Sequence, residues 1–394
     1  MRIAVLCPYS LSRPGGVQGQ VRGLARALGT EGHPVLVVAP DDDRAPGWVA
    51  PAPGRQPAAG PATPHVVAPE RFVAGPSTAV RANGSVAPVS LDPRAAWRVR
   101  RAIANFGADV VHFHEPLAPA IGYWCLAEHR LPAVGTYHRA GEGLGYRLVA
   151  PVVRWADDRL DVRCAVSAAA AKTLAAVAGG RPVEVLFNGV DVDRFTGARP
   201  TPVAVPAILF LGRHERRKGL ETLLEAYRTA DWPPGAAPNL WVAGDGPETD
   251  KLRHRFGGVR GIEWLGVLDD AEVPARLAGA SVLCAPSLGG ESFGMVVLEA
   301  MAAGCAVVAS DIPGYRAAAG GHALLVPPGD AGALAGALVS EIRALDGAGT
   351  AAEVPGERPP RVAARRHAED WSMARLAARY LALYERAVDA RSPT

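Results

Sequence analysis

Two glutamates in a glycine-rich segment have the spacing and the surroundings to bind a phosphorylated ligand. Glu291 follows the pair Gly289-Gly290, and Glu299 lies eight positions later, in an apolar segment that begins after Gly294. On a continuous helix, residues eight positions apart are about 80° apart after whole turns. We therefore expect both carboxylates on one side of a helix that has Glu291 at its N-terminus. Such a helix offers free N–H groups to phosphate, and the Glu299 carboxylate suits ribose hydroxyls. The alternative role of Glu291 is to complement the helix dipole.

A second group of charges lies directly after an apolar run, between Gly212 and Gly219. Four of the six residues from Arg213 to Lys218 are cationic, which disfavours folding and favours binding of a diphosphate. The alternative is a solvated charged loop. Only three of the 42 basic residues are lysines, so an ammonium at Lys218 indicates a need for a compact point charge. The three lysines are Lys172, Lys218 and Lys251.

Candidate ligand-binding residues in the first half of the chain also follow apolar runs. Gly15 and Gly16 precede a helical segment and would let backbone amides approach an anion, or would form a tight turn only. Gln18 flanks this loop. His138 ends a later run, before a glycine-rich stretch, and is therefore expected at a ligand-binding edge of the sheet. His112 alternates with apolar neighbours, which predicts a hydrogen-bonded histidine in the core. None of these histidines has the spacing of a metal site.

The elements that must position these residues are short apolar runs alternating with helical segments. This alternation predicts α/β architecture with parallel strands buried on both faces. Eleven strands are too many for one open sheet, so we divide them at the turn-rich segment 188–202. Segments 44–64 and 346–360 are predicted to be loops, and 371–389 a final helix. The predicted strands are 3–7, 34–38, 110–113, 133–137, 163–166, 208–211, 240–242, 262–265, 282–285, 306–309 and 323–326.

Composition excludes several classes of protein. The 394 residues carry a formal net charge of +3, which is too balanced for a general nucleic-acid binder. Five scattered cysteines without a CxxC pair argue against disulfides and zinc, and favour a reducing compartment. The N-terminus does not have the pattern of a signal peptide, and no apolar stretch is long enough to span a membrane. We therefore expect a cytoplasmic protein.

One helical segment has the charge pattern of a membrane-surface helix. Arg94, Arg98 and Arg101 follow helical spacing, with Arg100 beside them, opposite an apolar stripe. Such a helix can lie on anionic lipid, in this case on the inner face of the plasma membrane. A solvated helix face is the equal alternative.

Together these motifs resemble those of the retaining glycosyltransferases of family 4. The Glu291–Glu299 spacing matches that family's E-x7-E signature, in company with Arg213 and Lys218, and the resemblance extends along nearly the whole chain. It looks closest to the actinobacterial phosphatidyl-myo-inositol mannosyltransferases, which carry a basic cluster in the corresponding helix. The supporting segments are Cys7-Pro-Tyr9-Ser, Pro14-Gly-Gly-Val-Gln18, Asn83-Gly-Ser-Val, His114-Glu-Pro, Asn188-Gly-Val-Asp and Leu288-Gly-Gly-Glu-Ser-Phe-Gly294.

The resemblance implies a GT-B fold of two facing Rossmann-like domains with a cleft between them. Residues 1–188 would form an acceptor-binding domain and residues 189–370 a nucleotide-sugar-binding domain. Residues 371–394 would return as a helix to the N-terminal domain. The implied activity is transfer of a hexose, mannose from GDP-mannose, to a phosphatidylinositol-type lipid, with retention of configuration and without a cofactor or metal.

The resemblance also implies residue roles. Arg213 and Lys218 would neutralise the departing diphosphate, Glu299 would bind the ribose, Glu291 the sugar, and Asp270 would lie near the base. The implied catalytic residues are His138, Arg213, Lys218 and Glu291. The other implied donor-binding residues are Gly15, Gly16, Ser292, Phe293 and Gly294. The implied acceptor-binding residues are Tyr9, Gln18, Asn83 and His138.

Two departures from the mannosyltransferases leave the substrates open. The residues after His138 lack a Thr/Ser-rich run, and the basic loop is one residue shorter. Another nucleotide sugar, such as a UDP-sugar, and a different lipid or a soluble polyol therefore stay as alternatives. A nucleotide-sugar epimerase, a dehydrogenase, a non-catalytic nucleotide-sugar binder and, from the paired carboxylates, a glycosidase are the alternatives of other classes.

Overall fold

The chain forms two compact units in a computed structural model. One comprises Met1–Gly189 with Met373–Thr394, and the other comprises Val190–Ser372. The predicted domain limits, 188/189 and 370/371, lie one and two residues from these boundaries. The residues described are 1–13, 15–49, 66–82, 85–90, 92–116, 121–128, 130–138, 150–178, 180–232, 237–291, 293–346 and 359–391.

The first unit is built on a sheet whose central strands are fully buried. Its strands are β1 (Ile3–Leu6), β2 (Val35–Ala39), β3 (Gly47–Val49), β4 (Glu70–Val73), β7 (Val110–His114), β8 (Ala133–Tyr137), β9 (Val162–Ala165) and β10 (Glu184–Val185). Strands β5 (Thr78–Ala82) and β6 (Ser85–Val89) form a separate antiparallel pair. The eight-stranded order is β10-β9-β8-β7-β1-β2-β4-β3, and all pairings except β3–β4 are parallel.

Helices cover both faces of this sheet. Successive side chains of each strand point to opposite faces, and both sets of side chains in the central strands are apolar. Ala4 and Leu6 pack on one face, whereas Ile3 and Val5 pack on the other. The helices of the N-terminal portion are α1 (Gly16–Thr30), α2 (Pro93–Phe106), α3 (Ile121–Glu128), α4 (Ala150–Asp157) and α5 (Ala168–Ala178).

The second unit is a doubly wound parallel sheet. Its strands are β11 (Ala207–Leu211), β12 (Asn239–Ala243), β13 (Ile262–Gly266), β14 (Val282–Ala285), β15 (Ala306–Ser310) and β16 (Leu324–Val326). Their order is β13-β12-β11-β14-β15-β16, the 3-2-1-4-5-6 order of dinucleotide-binding folds. Its helices are α6 (Val192–Thr196), the 3-10 turn Arg216–Lys218, α7 (Leu220–Thr229), α8 (Thr249–Phe256), α9 (Val273–Gly279), α10 (Met295–Ala302), α11 (Pro313–Ala319), α12 (Ala331–Asp346) and α13 (Pro359–Asp370).

The last helix, α14 (Met373–Asp389), belongs to the core of the first unit, where it packs against α1. Tyr384 and Tyr380 on this helix are buried, and a buried phenol needs a hydrogen-bond partner. The Tyr384 hydroxyl lies 2.8 Å from His112 Nδ1, and the Tyr380 hydroxyl lies 2.9 Å from Thr136 Oγ1. The predicted return of a C-terminal helix to the N-terminal domain is confirmed.

The eleven predicted strands are all present, with ends that match or differ by one residue. Strands β3, β4, β5, β6 and β10 were not predicted, because short edge strands such as β3 and β10 lack a continuous apolar run. The predicted loop 44–64 contains β3, and its remainder from residue 50 lies outside the described residues, as does most of 346–360. All five cysteines are free and buried, as expected of small apolar side chains.

Candidate active site

The strand order of the second unit brings its charged residues to one edge of the sheet. Strands β11 and β14 are neighbours, and the direction of winding reverses between them. Ligands of doubly wound sheets bind outside the carboxyl ends of the strands at this point. Arg213 and Lys218 follow β11, whereas Glu291 follows β14. The fold therefore places these three residues at the expected ligand-binding edge.

Salt bridges join these side chains to two neighbours that the sequence motif contained but did not single out. Glu291 Oε1 lies 2.6 Å from Lys218 Nζ and 2.8 Å from Arg217 Nη1. Glu215 bridges the other pair, with 2.8 Å from its Oε1 to Arg213 Nη2 and 2.8 Å from its Oε2 to Arg217 Nε. We call Arg213, Glu215, Arg217, Lys218 and Glu291 the cation–carboxylate cluster. Its three cations and two carboxylates give it a surplus of positive charge for an anionic ligand.

Backbone geometry at one glycine explains how Lys218 reaches Glu291. The 3-10 turn Arg216–Lys218 ends at Gly219, whose φ of 68° lies in the left-handed region. A Cβ at Gly219 would lie 1.9 Å from the carbonyl oxygen of Pro286, so no other residue fits there. The Leu288 N–H donates to the Arg217 carbonyl at 2.7 Å and ties the two loops together. This close approach of the loops after β11 and β14 is what assembles the cluster.

The helix that carries Glu299 begins later than the sequence predicted. Gly294, at φ 84°, is the N-cap, and α10 starts at Met295. Glu291 therefore lies in the loop before the helix, and the prediction of two carboxylates on one helix is wrong. The left-handed N-cap at Gly294 breaks the helical path, and a Cβ there would lie 2.7 Å from the Tyr315 ring. Loop geometry rather than helical spacing positions Glu291.

Glu299 lies in different electrostatic surroundings from Glu291. Burial raises the pKa of Glu299 to about 7, against a smaller opposing effect of Arg194. Asp270 adds to the rise and itself pairs with Arg194, with 3.0 Å between Arg194 Nη2 and Asp270 Oδ1. Asp270 is largely exposed, in the loop between β13 and α9. Asp270, Arg194 and Glu299 therefore form a second polar group, and sequence reasoning missed its arginine.

Two further predicted donor-binding residues, Ser292 and Phe293, precede α10 in the sequence. The buried ring of Phe293 packs edge-on against Trp371, with centroids 5.1 Å apart, so its ring is structural and only its main chain can contact a ligand. Ser292 lies outside the described residues.

The loop after β1 in the first unit carries the predicted glycine site. Gly15 is the extended N-cap of α1, and a Cβ at Gly16 would meet nothing within 4 Å. Gln18 is mostly buried, and its Nε2 donates to the Ser10 carbonyl at 3.3 Å. Tyr9 is partly exposed and forms a bridge with Val89. Asn83 lies outside the described residues.

Three histidines lie close together, His114 and His138 at the carboxyl ends of β7 and β8 and His112 within β7. His138 Nε2 lies 2.8 Å from His114 Nδ1, and the His138 main-chain N–H donates to Glu115 Oε1 at 2.6 Å. His112 is fully buried, with Tyr384 and Thr136 at its two ring nitrogens, as predicted for a core histidine. We call His112, His114, His138 and Glu115 the histidine cluster.

Burial controls the protonation of these rings. It lowers the pKa of His112 to about 3 and that of His138 to about 3, and it also holds the pKa of His114 well below its ordinary value. All three imidazoles are therefore neutral at physiological pH. His138 has the chemistry of a neutral hydrogen-bonding group rather than of a cation.

The basic segment forms α2, and its apolar stripe packs into the core instead of facing outward. Ala95, Val99, Ala102 and Phe106 are buried. Trp97 is 55% exposed, and the Arg101 guanidinium lies 5.5 Å from its ring centroid. The exposed face of α2 therefore combines an indole with basic side chains.

Arg98 does not belong to this exposed face, which corrects its predicted membrane contact. Its Nη2 donates to Asp92 Oδ2 at 2.7 Å and to the Ala74 carbonyl at 2.9 Å. The Asp92 carboxylate also caps α2 by accepting from the Arg94 main-chain N–H at 2.9 Å. The paired charge of Arg98 helps to hold the start of the helix. Arg94 and Arg101 remain exposed, and Arg100 is half-buried.

Every helix in the described part of the chain is too short or too polar to span a membrane. Within the same residues, no group of three or more His, Cys, Asp or Glu side chains is arranged to hold a metal ion.

Solved structures of glycosyltransferases share this fold. Sucrose-phosphate synthase from Thermosynechococcus elongatus matches with a TM-score of 0.72 and 20% identity, over 99% of each chain. Anabaena HepE in complex with UDP-glucose matches with a TM-score of 0.66 and 19% identity, over 97% of this chain and 100% of that one. These likenesses confirm the predicted GT-B fold.

Sequence comparison identifies the family. The family model described as "Glycosyltransferase Family 4" matches residues 14–194, and the model described as "Glycosyl transferases group 1" matches residues 205–343. The phosphatidyl-myo-inositol mannosyltransferase of Mycobacterium leprae (strain TN) is 38% identical over 345 residues, 84% of each chain. The protein of the same name from Propionibacterium freudenreichii subsp. shermanii is 36% identical over 329 residues, 80% of this chain and 78% of the relative. With matches that together span both units, the chain belongs to glycosyltransferase family 4.

Proposed function

We propose that this glycosyltransferase transfers mannose from GDP-mannose to a phosphatidylinositol-type lipid, with retention of configuration. The observation that carries the proposal is the cation–carboxylate cluster at the carboxyl ends of β11 and β14, where the winding of the second unit reverses. Relatives named phosphatidyl-myo-inositol mannosyltransferase, which are 36–38% identical, support the choice of sugar and acceptor.

The cluster suits a leaving diphosphate. Arg213 pairs with Glu215 and Lys218 pairs with Glu291, and a diphosphate would compete with these carboxylates for both cations. Charge-assisted hydrogen bonds of this kind strengthen as negative charge develops on the departing group. Glu291 would then be released from Lys218 to bind hydroxyls of the sugar. The main chain of Gly15 and Gly16 would add N–H donors to the phosphates.

The nucleoside would be held by the second polar group of this unit. Glu299 accepts hydrogen bonds from the ribose hydroxyls, and the exposed Asp270 contacts the base. Main-chain N–H groups of Ser292, Phe293 and Gly294 would add donors to the phosphates.

The first unit would supply the acceptor side of the reaction. His138 contacts the transferred hexose, while Tyr9, Gln18 and Asn83 contact the head group of the lipid. The acceptor hydroxyl attacks from the face that the diphosphate leaves, and a phosphate oxygen of the leaving group takes the hydroxyl proton. Catalysis then rests on positioning and on electrostatic stabilisation of the diphosphate, without a metal.

A lipid acceptor requires the enzyme to reach a membrane surface. Arg94, Arg100 and Arg101 would contact anionic lipid at the inner face of the plasma membrane, and Trp97 suits the interface. Binding of this type is peripheral and depends on salt.

The deciding experiment incubates the full chain with GDP-mannose and vesicles containing phosphatidylinositol, followed by mass spectrometry of the lipid. We expect a lipid heavier by one hexose, with the α-configuration of the donor retained. A parallel series replaces GDP-mannose by UDP-glucose or UDP-N-acetylglucosamine, and the lipid by free myo-inositol. Transfer from a UDP-sugar only, or to the soluble polyol only, would reject the proposed donor or acceptor while leaving the family intact.

A further inference from the structure

The shortest contact between the histidine rings restricts where their protons lie. His114 ends β7, His138 follows the neighbouring strand β8, and the two rings stack with centroids 5.1 Å apart. The 2.8 Å between His114 Nδ1 and His138 Nε2 is a hydrogen bond, so one proton lies between these two nitrogens.

Counting protons leaves two arrangements. Both rings are neutral, and a neutral imidazole carries one N–H. In the first, His114 Nδ1–H donates to His138 Nε2, and the proton of His138 is on Nδ1. In the second, His138 Nε2–H donates to His114 Nδ1, and the proton of His114 is on Nε2.

The environment of His114 Nε2 distinguishes the two. This atom is buried and has no hydrogen-bond partner among the residues described, and the whole residue is only 3% exposed. The adjacent His112 ring, with its centroid 4.3 Å away, cannot serve because Tyr384 and Thr136 already occupy both of its nitrogens. The second arrangement would therefore bury an N–H without an acceptor, which folded proteins rarely tolerate, whereas an unpaired lone pair is tolerated more often.

The main chain around the pair is fixed as well. Glu115, which directly follows β7, has a φ of 47°, a left-handed conformation that is uncommon for a residue with a side chain. Its Oε1 accepts the His138 main-chain N–H at 2.6 Å, and its own N–H donates to the Thr136 carbonyl at 2.8 Å. The ring of His138 is thus anchored at its backbone by Glu115 and at Nε2 by His114.

We propose that His114 is a positioning residue that donates Nδ1–H to His138 Nε2 and thereby keeps the proton of His138 on Nδ1. His138 Nδ1 is then a hydrogen-bond donor for an oxygen of the transferred hexose, and it has no lone pair with which to act as a base. This inference rests on the proposed role of His138 at the sugar.

The direct test is the ¹⁵N spectrum of the histidine side chains in the full chain, with His138 assigned from the signals lost in His138→Gln. We expect a protonated, pyrrole-type shift at Nδ1 of His138 and a pyridine-type shift at Nε2, unchanged between pH 6 and 8. A protonated Nε2 on His138 would overturn the proposal. The spectrum requires neither substrate nor activity.

Two substitutions test the consequence for transfer. Asparagine at position 114 keeps an N–H donor near the position of Nδ1, whereas phenylalanine does not. We expect His114→Phe to lower kcat by about 10- to 100-fold through misplacement of His138. The KM for the donor sugar should stay within about twofold, because the cation–carboxylate cluster is intact. His114→Asn should recover most of kcat, and equal losses in the two variants would contradict the positioning role.

Tyr384→Phe provides the matched control, since it removes a hydrogen bond from the buried His112 without touching the His114–His138 pair. It should lower the melting temperature and leave the tautomer of His138 unchanged. His138→Ala separates this inference from the proposed function. Wild-type transfer by His138→Ala would reject His138 as a sugar contact, and with it the use of the Nδ1 donor. A loss of transfer combined with a protonated Nε2 in the wild-type spectrum would reject the present inference alone.

Discussion

The cation–carboxylate cluster and the histidine cluster occupy corresponding edges of two similar sheets, yet their chemistry is opposite. The first is charged and partly open to solvent, with the Arg213 side chain 54% exposed. The second is buried, and His112 and His114 are at most 3% exposed. Burial removes the charge of the imidazoles by lowering their pKa. In the proposed function, the second unit would stabilise negative charge and the first would orient neutral groups.

The largest expected effect comes from removing the point charge of the second unit. Lys218→Ala should lower kcat/KM by about 100- to 1,000-fold, the usual cost of losing one donor aimed at developing charge. Steady-state transfer kinetics measure this loss. Lys251→Ala is the matched control, because Lys251 is exposed and forms a surface pair with Glu248, at 3.3 Å. Equal behaviour of the two variants would show that Lys218 has no special role.

A smaller loss of donor binding is expected from replacing Arg217, the second cation that contacts Glu291. Arg217→Ala removes one of two cations from that carboxylate and leaves Lys218 in place. We expect about a tenfold rise in the KM for the donor, the size of one charge-assisted hydrogen bond. Titration with GDP by calorimetry measures the accompanying loss of GDP affinity without the acceptor. A loss as large as that of Lys218→Ala would mean that the two cations act as a unit.

The pH dependence of donor binding should come from the second unit and not from the histidines. Glu299, with its pKa raised to about 7, must lose its proton to accept two hydrogen bonds from a ribose. GDP affinity should therefore fall below pH 7, by at most about tenfold per pH unit. Glu299→Gln should bind GDP more weakly and without this dependence. A dependence that persists in Glu299→Gln would assign the titration to another group.

The same carboxyl group has the opposite effect on folding stability. Its pKa rises from 4.5 in the unfolded chain to about 7 in the folded protein, so the folded state binds the proton more tightly. The free energy of unfolding should therefore decline as pH rises from 4.5 to 7, and it should decline less in Glu299→Gln. Urea unfolding at several pH values measures this difference.

The smallest expected effect concerns the exposed charges of α2 in the first unit. Arg94→Ala and Arg101→Ala should each weaken binding to anionic vesicles about fivefold, or about 1 kcal/mol. Co-sedimentation at low and high salt measures the binding. Arg260→Ala and Arg366→Ala, at exposed positions of the second unit, serve as controls. Equal losses at all four positions would show a general charge effect rather than a membrane face.

The glycosyltransferase family excludes the dehydrogenase, epimerase and glycosidase alternatives, and the sequence contained the reasons. The sequence lacks the GxGxxG fingerprint of a dehydrogenase. It combines Arg213 and Lys218 with the two spaced glutamates, a set that suits a diphosphate donor. The sequence was less informative about side-chain partners. Glu215 and Arg217 lie within the basic motif, but only the loop contact at Gly219 shows that they link Arg213 to Glu291.

Sequence reasoning failed where a local pattern had to be extended through a break in the helix. The predicted angle between Glu291 and Glu299 was calculated for one continuous helix. Gly294, in the left-handed conformation, separates Glu291 from that helix. Arg98 followed the helical spacing of a basic face, yet Asp92 and the Ala74 carbonyl draw it inward. In the first case a glycine inside the motif decided the outcome, and in the second case polar partners outside the basic face did.

The sequence by itself determined the two parallel sheets, the motifs at their strand ends and the family, because buried strands and glycine turns are local properties of the chain. Only the tertiary structure decided which charges pair in the cation–carboxylate cluster and which ring nitrogens face each other in the histidine cluster. The protonation of His138 and of Glu299 also follows from burial. The burial of these two side chains depends on elements from distant parts of the chain, and the sequence pattern around them did not specify it.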